Sequence, residues 1–495
     1  MNYKMMGRFV ARTLAAVTIL MIPALIISLF SQEWIAARSF VMTLAVSGAV
    51  LGILFALSRG APKAFGAKEG LACAALSWIV ICLVGCLPFW FSREIPRFID
   101  AFFEIVSGFT TTGASVVAAP EELSNGILYW RSFSHWIGGM GVLVFLLAIT
   151  ANGKQGEGFT IHLLRAESPG PNVGKMLPKM RDTAAMTYII YVVLTALNII
   201  FLMLDGSLTL FQAACTAFGT AGTGGFAVFN DSLASCTPYV HNVTTVFMGL
   251  FGINFACYYL LLIKQVKSVW RDEELRLYLG VIFAAIALIV WNTLSNGNFG
   301  SFSEALRHAA FQVVSIITTT GYTTCDYAGT GAVGAIPWPS FAQSILLILM
   351  IIGACAGSTG GGLKCSRLLL IVKALKRNAN KLMHPNRVQV IRTNGQTVDE
   401  QVVDNANAYL AAYVILLFAS FVVVSLDNYS IGTNFSAVLS CFNNIGPGME
   451  QVGPMCNFGG YSDLSKLVLS FDMLAGRLEL FPLLTLFAAG TWKRR

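Results

Sequence analysis

Four short stretches of glycine and small polar residues recur in this chain, each directly after an apolar run too short to cross a bilayer. They read GFTTTGAS from Gly108, FGTAGTGGF from Phe218, ITTTGYTT from Ile317 and FNNIGPGM from Phe442. Aligned on one glycine, the column is Gly113, Gly222, Gly321 and Gly446, spaced 109, 99 and 125 residues apart. Three residues earlier stand Thr110, Gly219, Thr318 and Asn443, and four earlier Phe109, Phe218, Ile317 and Phe442. A phenylalanine stands ten or eleven residues before each glycine, at Phe102, Phe211, Phe311 and Phe435. Glycine and threonine are weak helix formers, so each stretch predicts a break in helical structure.

The surroundings of these breaks are oily. Of 495 residues 56% are hydrophobic and 12% charged, against about 25% charged in soluble domains. Apolar runs near the spanning length of ~20 residues fall at 9–30, 39–58, 70–91, 130–150, 184–204, 239–263, 277–294, 341–372, 406–426 and 464–489. The chain reads as a polytopic membrane protein. The eighth and tenth runs are too long for one straight crossing and predict breaks. No cleavage site follows the first run, so it is expected to remain as a helix.

Each Gly/Thr stretch follows a full span and a run of ten to twelve apolar residues, and precedes a second span. Irregular backbone at membrane depth is tolerated only where protein buries it or water reaches it. One such stretch is explained by an ordinary turn. Four in the same setting predict an all-α polytopic fold of four pseudo-symmetric helix–pore half-helix–filter loop–helix repeats around one pore, after two extra N-terminal helices. The expected divisions are 1–68 for those helices, then 69–152, 153–264, 265–378 and 379–495 for the repeats. Extended loops ringing one axis present carbonyl oxygens that replace an ion's water shell, and half-helix C-termini pointing inward favour a cation.

Charge fixes the orientation. With the N-terminus inside, 26 of the 33 Lys and Arg fall on the inner side and five outside (Arg38, Arg93, Arg97, Arg131, Arg307), with Lys466 and Arg477 in the last span. That asymmetry is the positive-inside rule and puts both termini in the cytoplasm. Eleven scattered cysteines without a CxxC pair give no disulfide framework or zinc site. Five histidines lack metal spacing, and no catalytic cluster converges, so an enzyme is not expected. A secondary transporter for another cation or small solute is the alternative; it predicts inverted repeats, whereas these four are parallel.

The four stretches resemble the filter loops of the Trk/Ktr/HKT superfamily of potassium transporters, in particular its bacterial Trk membrane subunits. HWIGGMGVLVF at 135–145, LLRAESPGP at 163–171, GACAGSTGGGLK at 353–364 and GRLELF at 476–481 extend the resemblance along the whole chain. It implies a potassium filter at Thr111, Thr112 and Gly113; Thr220, Ala221 and Gly222; Thr319, Thr320 and Gly321; and Asn444, Ile445 and Gly446. It implies potassium as substrate with no organic cofactor, a bacterial inner-membrane location, a homodimer, and a TrkA-like cytoplasmic ring of nucleotide-binding regulatory subunits. Some sodium-transporting relatives have serine in the first column, so Gly113 favours potassium. The fourth loop departs most, with Asn443, Asn444 and Pro447.

Five glycines between Gly353 and Gly362 break the eighth run, at up to ~1 kcal/mol each relative to alanine. Its spacing to Lys364 does not fit a phosphate loop. The resemblance makes Gly357, Ser358, Thr359, Gly360, Gly361 and Gly362 an intramembrane gate, with Arg477 beneath the filter as a positive barrier. A structural pair of Arg477 with Asp472 or Glu479 is the competing reading. Lys466 is expected to snorkel outward. The basic segment 373–405, with Lys373, Lys376, Arg377, Lys381, Arg387 and Arg392, is either a docking surface or topology charge near anionic lipid.

Overall fold

The computed structural model describes residues 2–60, 67–141, 180–329, 337–386 and 389–488. It is helical throughout except for one small hairpin, Arg392–Thr393 against Gln396–Thr397. The segment LLRAESPGP, most of the loop 151–183, the second half of the run 130–150 and Arg387 lie outside the described residues.

Two spans lead. α1 (Tyr3–Leu20) and α2 (Ile22–Phe30) form one, interrupted at Met21 where Pro23 opens α2, and α3 (Trp34–Leu57) is the other. Four units follow. The first holds α4 (Ala67–Gly85), α5 (Leu87–Phe91), α6 (Phe98–Phe109) and α7 (Asn125–Gly139). The second holds α8 (Met180–Met203), α9 (Leu210–Gly222), α10 (Pro238–Phe251), α11 (Phe255–Leu262) and α12 (Val266–Arg271). The third holds α13 (Glu273–Ser295), α14 (Phe302–Ile317), α15 (Ser340–Ile351) and α16 (Cys365–Met383). The fourth holds α17 (Glu400–Val424), α18 (Ile431–Phe442), α19 (Asp463–Arg477) and α20 (Phe481–Phe487).

Among the described residues, six helical stretches are long and apolar enough to cross a membrane: the two leading ones and the opening stretch of each unit. The half-helices α6, α9, α14 and α18 have 12, 13, 16 and 12 residues. At 1.5 Å per residue they span about 18–24 Å, short of the ~30 Å hydrocarbon core. Side-chain caps start three of them: Thr209 with Gln212 as a capping box, Ser301 to the N–H of Glu304, and Ser430 to the N–H of Thr433. Each cap satisfies a backbone donor that the helix cannot.

The second helix of the last three units is broken. α10 and α11 meet at 90° across Gly252–Asn254, so the run 239–263 is not the single straight span expected. The break is closely packed: a Cβ on Gly252 would lie 2.8 Å from Cγ2 of Thr318. In the third unit the glycine segment separates α15 from α16, and in the fourth Glu479 and Leu480 with positive φ separate α19 from α20, as the overlong runs 341–372 and 464–489 predict.

Candidate functional site

The four half-helices end in the same way. Backbone N–H groups of Thr111, Thr223, Thr319 and Asn444 donate three residues back, to Gly108, Thr220, Ile316 and Cys441. The next residues, Thr112, Gly224, Thr320 and Ile445, donate five back, to Ser107, Gly219, Ser315 and Ser440. This is the Schellman pair of bonds, which turns the chain through a left-handed residue. That residue has φ of 57°, 55°, 58° and 56° at Thr111, Thr223, Thr319 and Asn444. Two residues on, positive φ recurs at Gly113, Gly225, Gly321 and Gly446.

The matched turns correct the second copy of the expected filter. Thr220, Ala221 and Gly222 remain in the last turn of α9. Thr220 Oγ1 bonds back to the carbonyl of Thr216 at 2.8 Å, Ala221 packs beside Tyr191 and Phe251, and a Cβ on Gly222 would strike the His135 carbonyl. The loop of the second unit is Thr223, Gly224 and Gly225, three residues further on. Thr111, Thr112 and Gly113, Thr319, Thr320 and Gly321, and Asn444, Ile445 and Gly446 lie in the loops that follow their half-helices.

The four loops close into a ring. A Cβ on Gly113 would meet the carbonyl oxygen of Gly224, one on Gly225 that of Thr320, and one on Gly321 that of Ile445. A Cβ on Gly446 would lie 2.7 Å from the carbonyl oxygen of Thr112, which returns the circuit to the first loop. Each glycine thus seats on the residue preceding the next loop's glycine, in chain order. Any side chain there would displace a backbone carbonyl, and the positive φ also disfavours one.

Buried side chains hold the loops from behind. His135 on α7 lies with Nδ1 2.8 Å from the carbonyl of Gly108 and accepts the N–H of Phe226 at Nε2, 3.2 Å away. Those partners fix the tautomer with the proton on Nδ1. Arg131 donates through Nε to Glu104 (2.7 Å), through Nη1 to the carbonyl of Ala227 (3.0 Å) and through Nη2 to Ser115 Oγ (3.1 Å). Glu104 in turn accepts the N–H of Val116. The Tyr322 hydroxyl stands 3.1 and 3.2 Å from the carbonyls of Thr216 and Phe226, and Asn444 Nδ2 donates to Thr112 Oγ1 at 3.0 Å. The contacts of His135 with Phe226, Arg131 with Ala227, Tyr322 with Thr216 and Phe226, and Asn444 with Thr112 cross between neighbouring units and so set the spacing of the ring.

A closed loop, residues 352–364, lies against the ends of the half-helices. Gly353 N–H bonds the carbonyl of Leu363, and Cys365 N–H that of Ala354, which draws its two ends together. Gly361 N–H donates to Thr319 Oγ1 at 2.6 Å. A Cβ on Gly360 would lie 2.9 Å from the carbonyl of Thr318, and one on Gly361 2.6 Å from that of Asn443. Gly357 and Gly362 have positive φ. Ser358 Oγ bonds within the loop, and Thr359 Oγ1 reaches the carbonyl of Phe251 at 3.2 Å. Arg477, at the end of α19, donates to the carbonyl of Thr359 (2.9 Å), to those of Gly139 (2.7 Å) and Gly138, and to Thr111 Oγ1 (3.4 Å). Glu479 pairs with Arg367, and Asp472 accepts from Ser420. The two acids proposed as structural partners of Arg477 are thus bound to other groups, while Arg477 joins the glycine loop to the first ring loop.

Residues 36–493 match the TrkH family, described as cation transport proteins. The chain belongs to the TrkH family. The Trk system potassium uptake protein TrkH of Escherichia coli (strain K12) is 34% identical over 478 residues, 96% of each chain. TrkH of Vibrio parahaemolyticus is 33% identical over 503 residues, the whole of both chains. The Trk system potassium uptake protein TrkG of E. coli (strain K12) is 30% identical over 480 residues, 96% of this chain and 95% of TrkG. The crystal structure of the potassium transporter TrkH from V. parahaemolyticus superposes with a TM-score of 0.88 at 30% identity over all of both chains. The fold of this TrkH-family chain is therefore an all-α membrane fold of the TrkH type, and its relatives are transporters.

Several residues that build the site escaped the sequence reading: Thr223, Gly224 and Gly225, and the supports His135, Glu104 and Arg131. A triplet of Thr, any residue, then Gly recurs as Thr111–Gly113, Thr223–Gly225 and Thr319–Gly321, but Thr220–Gly222 fits it equally, so the pattern alone leaves two registers for the second loop. Lys466 does not snorkel. It is fully buried, with Nζ 2.6 Å from Asp100 Oδ1 and 3.0 Å from the carbonyl of Gly459. In the basic segment, Lys373 pairs with Glu273 and Arg377 with Glu400, so part of its charge is engaged within the chain.

Proposed function

We propose that the chain takes up potassium across a bacterial inner membrane, moving the ion through the ring of loops without covalent chemistry. The observation that carries this reading is the closed ring itself: four turns of one geometry, each seated on its neighbour's backbone through a glycine without room for a side chain. Such a ring offers carbonyl oxygens at a spacing set by the fold, which is what replacing a cation's hydration shell requires. The relatives named as potassium uptake proteins supply the identity of the ion. The proposed filter comprises Thr111, Thr112 and Gly113; Thr223, Gly224 and Gly225; Thr319, Thr320 and Gly321; and Asn444, Ile445 and Gly446.

The loop containing Gly357–Gly362 is the gate in this reading, and Arg477 is a positive barrier that also latches the loop shut. A homodimer, a TrkA-like ring of nucleotide-binding subunits on the face away from the filter, and termini in the cytoplasm complete the proposal. The test is cation influx into liposomes holding the purified chain, with potassium, rubidium and sodium compared for the native protein and Arg477→Ala. Influx of potassium and rubidium over sodium supports the reading. Equal passage of all three, or none from either protein, counts against it.

A further inference from the structure

The bent second helix of the second unit leads into an arm on the side of the chain away from the ring. α11 runs at 90° to α10, and residues 261–268, from the end of α11 onward, are all exposed. Large apolar groups alternate there with cations. Leu262 is 65% and Trp270 67% exposed, and Lys264, Lys267 and Arg271 are exposed beside them. Val269 alone turns inward. The acids next in sequence are already engaged. Asp272 caps α13 and accepts from Asn394, and Glu273 pairs with Lys373. Among the described residues, no ion pair includes Lys264, Lys267 or Arg271.

Both ends of this arm grip the glycine loop. At its start, Cys355 N–H donates to the carbonyl of Gly252 and Phe255 N–H to that of Gly357, both at 3.1 Å. At its end, Glu274 Oε1 accepts the N–H groups of Ala356 (2.6 Å) and Ser366 (3.0 Å). The chain from Gly252 to Glu274 therefore leaves the loop, crosses the surface and returns to it.

We infer that residues 261–271 bind anionic phospholipid headgroups in the leaflet opposite the ring, and that this contact sets how readily the 352–364 loop opens. Exposed apolar and aromatic groups interleaved with cations suit a bilayer interface, and basic residues there are drawn to anionic lipid. The apolar part continues directly from the bent apolar pair α10–α11, so a bilayer would cover Leu262 and Trp270 at all times, whereas a soluble partner would leave them in water whenever it dissociated. The gating half of the inference rests on the transport reading above.

The test uses the full chain in phosphatidylcholine vesicles with and without phosphatidylglycerol. Quenching of Trp270 by brominated phosphatidylglycerol is isolated by subtracting Trp270→Phe, and rubidium influx is recorded in parallel. The comparison protein carries Lys264→Gln, Lys267→Gln and Arg271→Gln; its partner control keeps the charge with Lys264→Arg and Lys267→Arg. The expected result is stronger quenching by brominated phosphatidylglycerol than by brominated phosphatidylcholine, and an influx that changes about fivefold with anionic lipid, the lower range of a typical coupling. Both effects should vanish in the triple Gln protein and persist in the Arg control. Equal quenching by the two lipids overturns the inference, even if a soluble protein binds the same arm. So does an influx response that the triple Gln protein retains. Selective quenching without influx from any protein would uphold the lipid surface and count against the transport reading, so the two fail separately.

Discussion

Arg477 donates through Nη1 to the carbonyl oxygen of Thr359 at 2.9 Å, tying α19 to the glycine loop beneath the ring. The same guanidinium reaches Thr111 Oγ1 and the carbonyls of Gly138 and Gly139. One fixed charge thus joins three segments that meet under the first loop, and its fork of donors is what allows it. Arg477→Ala should raise basal rubidium influx about tenfold or more, since a lost charged hydrogen bond is worth about 1.5–3 kcal/mol. Arg477→Lys should give an intermediate rise, because an ammonium cannot span the same acceptors. An influx unchanged in Arg477→Ala, with the protein inserted and folded, would remove the latch from the account.

The register of the second loop is open to a paired substitution. Thr223 occupies the left-handed turn position shared with Thr111 and Thr319, whereas Thr220 bonds back within α9. Thr223→Ala should lower the potassium-to-sodium influx ratio severalfold, and Thr220→Ala should leave it nearly unchanged. The reverse order would restore the alignment on Gly222.

The ion pair of Glu104 and Arg131 is almost fully enclosed, with side-chain exposures of 0% and 3%. Removing one member leaves the other charge buried without its partner, at a cost of about 3–5 kcal/mol. Arg131→Met should therefore lower the thermal unfolding midpoint in detergent sharply. Adding Glu104→Gln should recover part of that loss. A double variant no more stable than Arg131→Met would mean that the pair does not act as a unit.

His135 satisfies two backbone groups at once, the carbonyl of Gly108 and the N–H of Phe226. His135→Leu strands both, and each buried unsatisfied group costs about 1–3 kcal/mol. The expected outcome is a lower unfolding midpoint together with weaker discrimination against sodium, read as the influx ratio. A destabilised protein with native selectivity would make His135 a packing residue and not a support of the ring.

Much of this architecture is written in the sequence. The half-helices are legible because an apolar run of about a dozen residues cannot cross ~30 Å of hydrocarbon, and because the following glycines and threonines are weak helix formers. The break at Gly353–Gly362 is legible for the same reason. The misplaced second loop has a physical cause. FGTAGTGGF offers glycines at both Gly222 and Gly225, and helix propensity does not say which one the chain turns at. Contact with His135 decides it, since Gly222 seats α9 on α7. The right angle at Gly252–Asn254 is only faintly marked in the sequence, where Gly252 and Asn254 interrupt the apolar run. At that corner Gly252 approaches Thr318 and Tyr278 without room for a side chain, a contact between distant segments that the local sequence does not show. Lys466 was misread because its partner, Asp100, lies 366 positions away.

The most direct test of the central claim is to locate a heavy congener of the ion in the protein. Crystals grown with rubidium or thallium in place of potassium should show anomalous density on the axis enclosed by Thr111–Gly113, Thr223–Gly225, Thr319–Gly321 and Asn444–Gly446, and that density should weaken when sodium replaces the heavy ion. An axis without density, or density beside Thr220–Gly222 instead, would contradict the account.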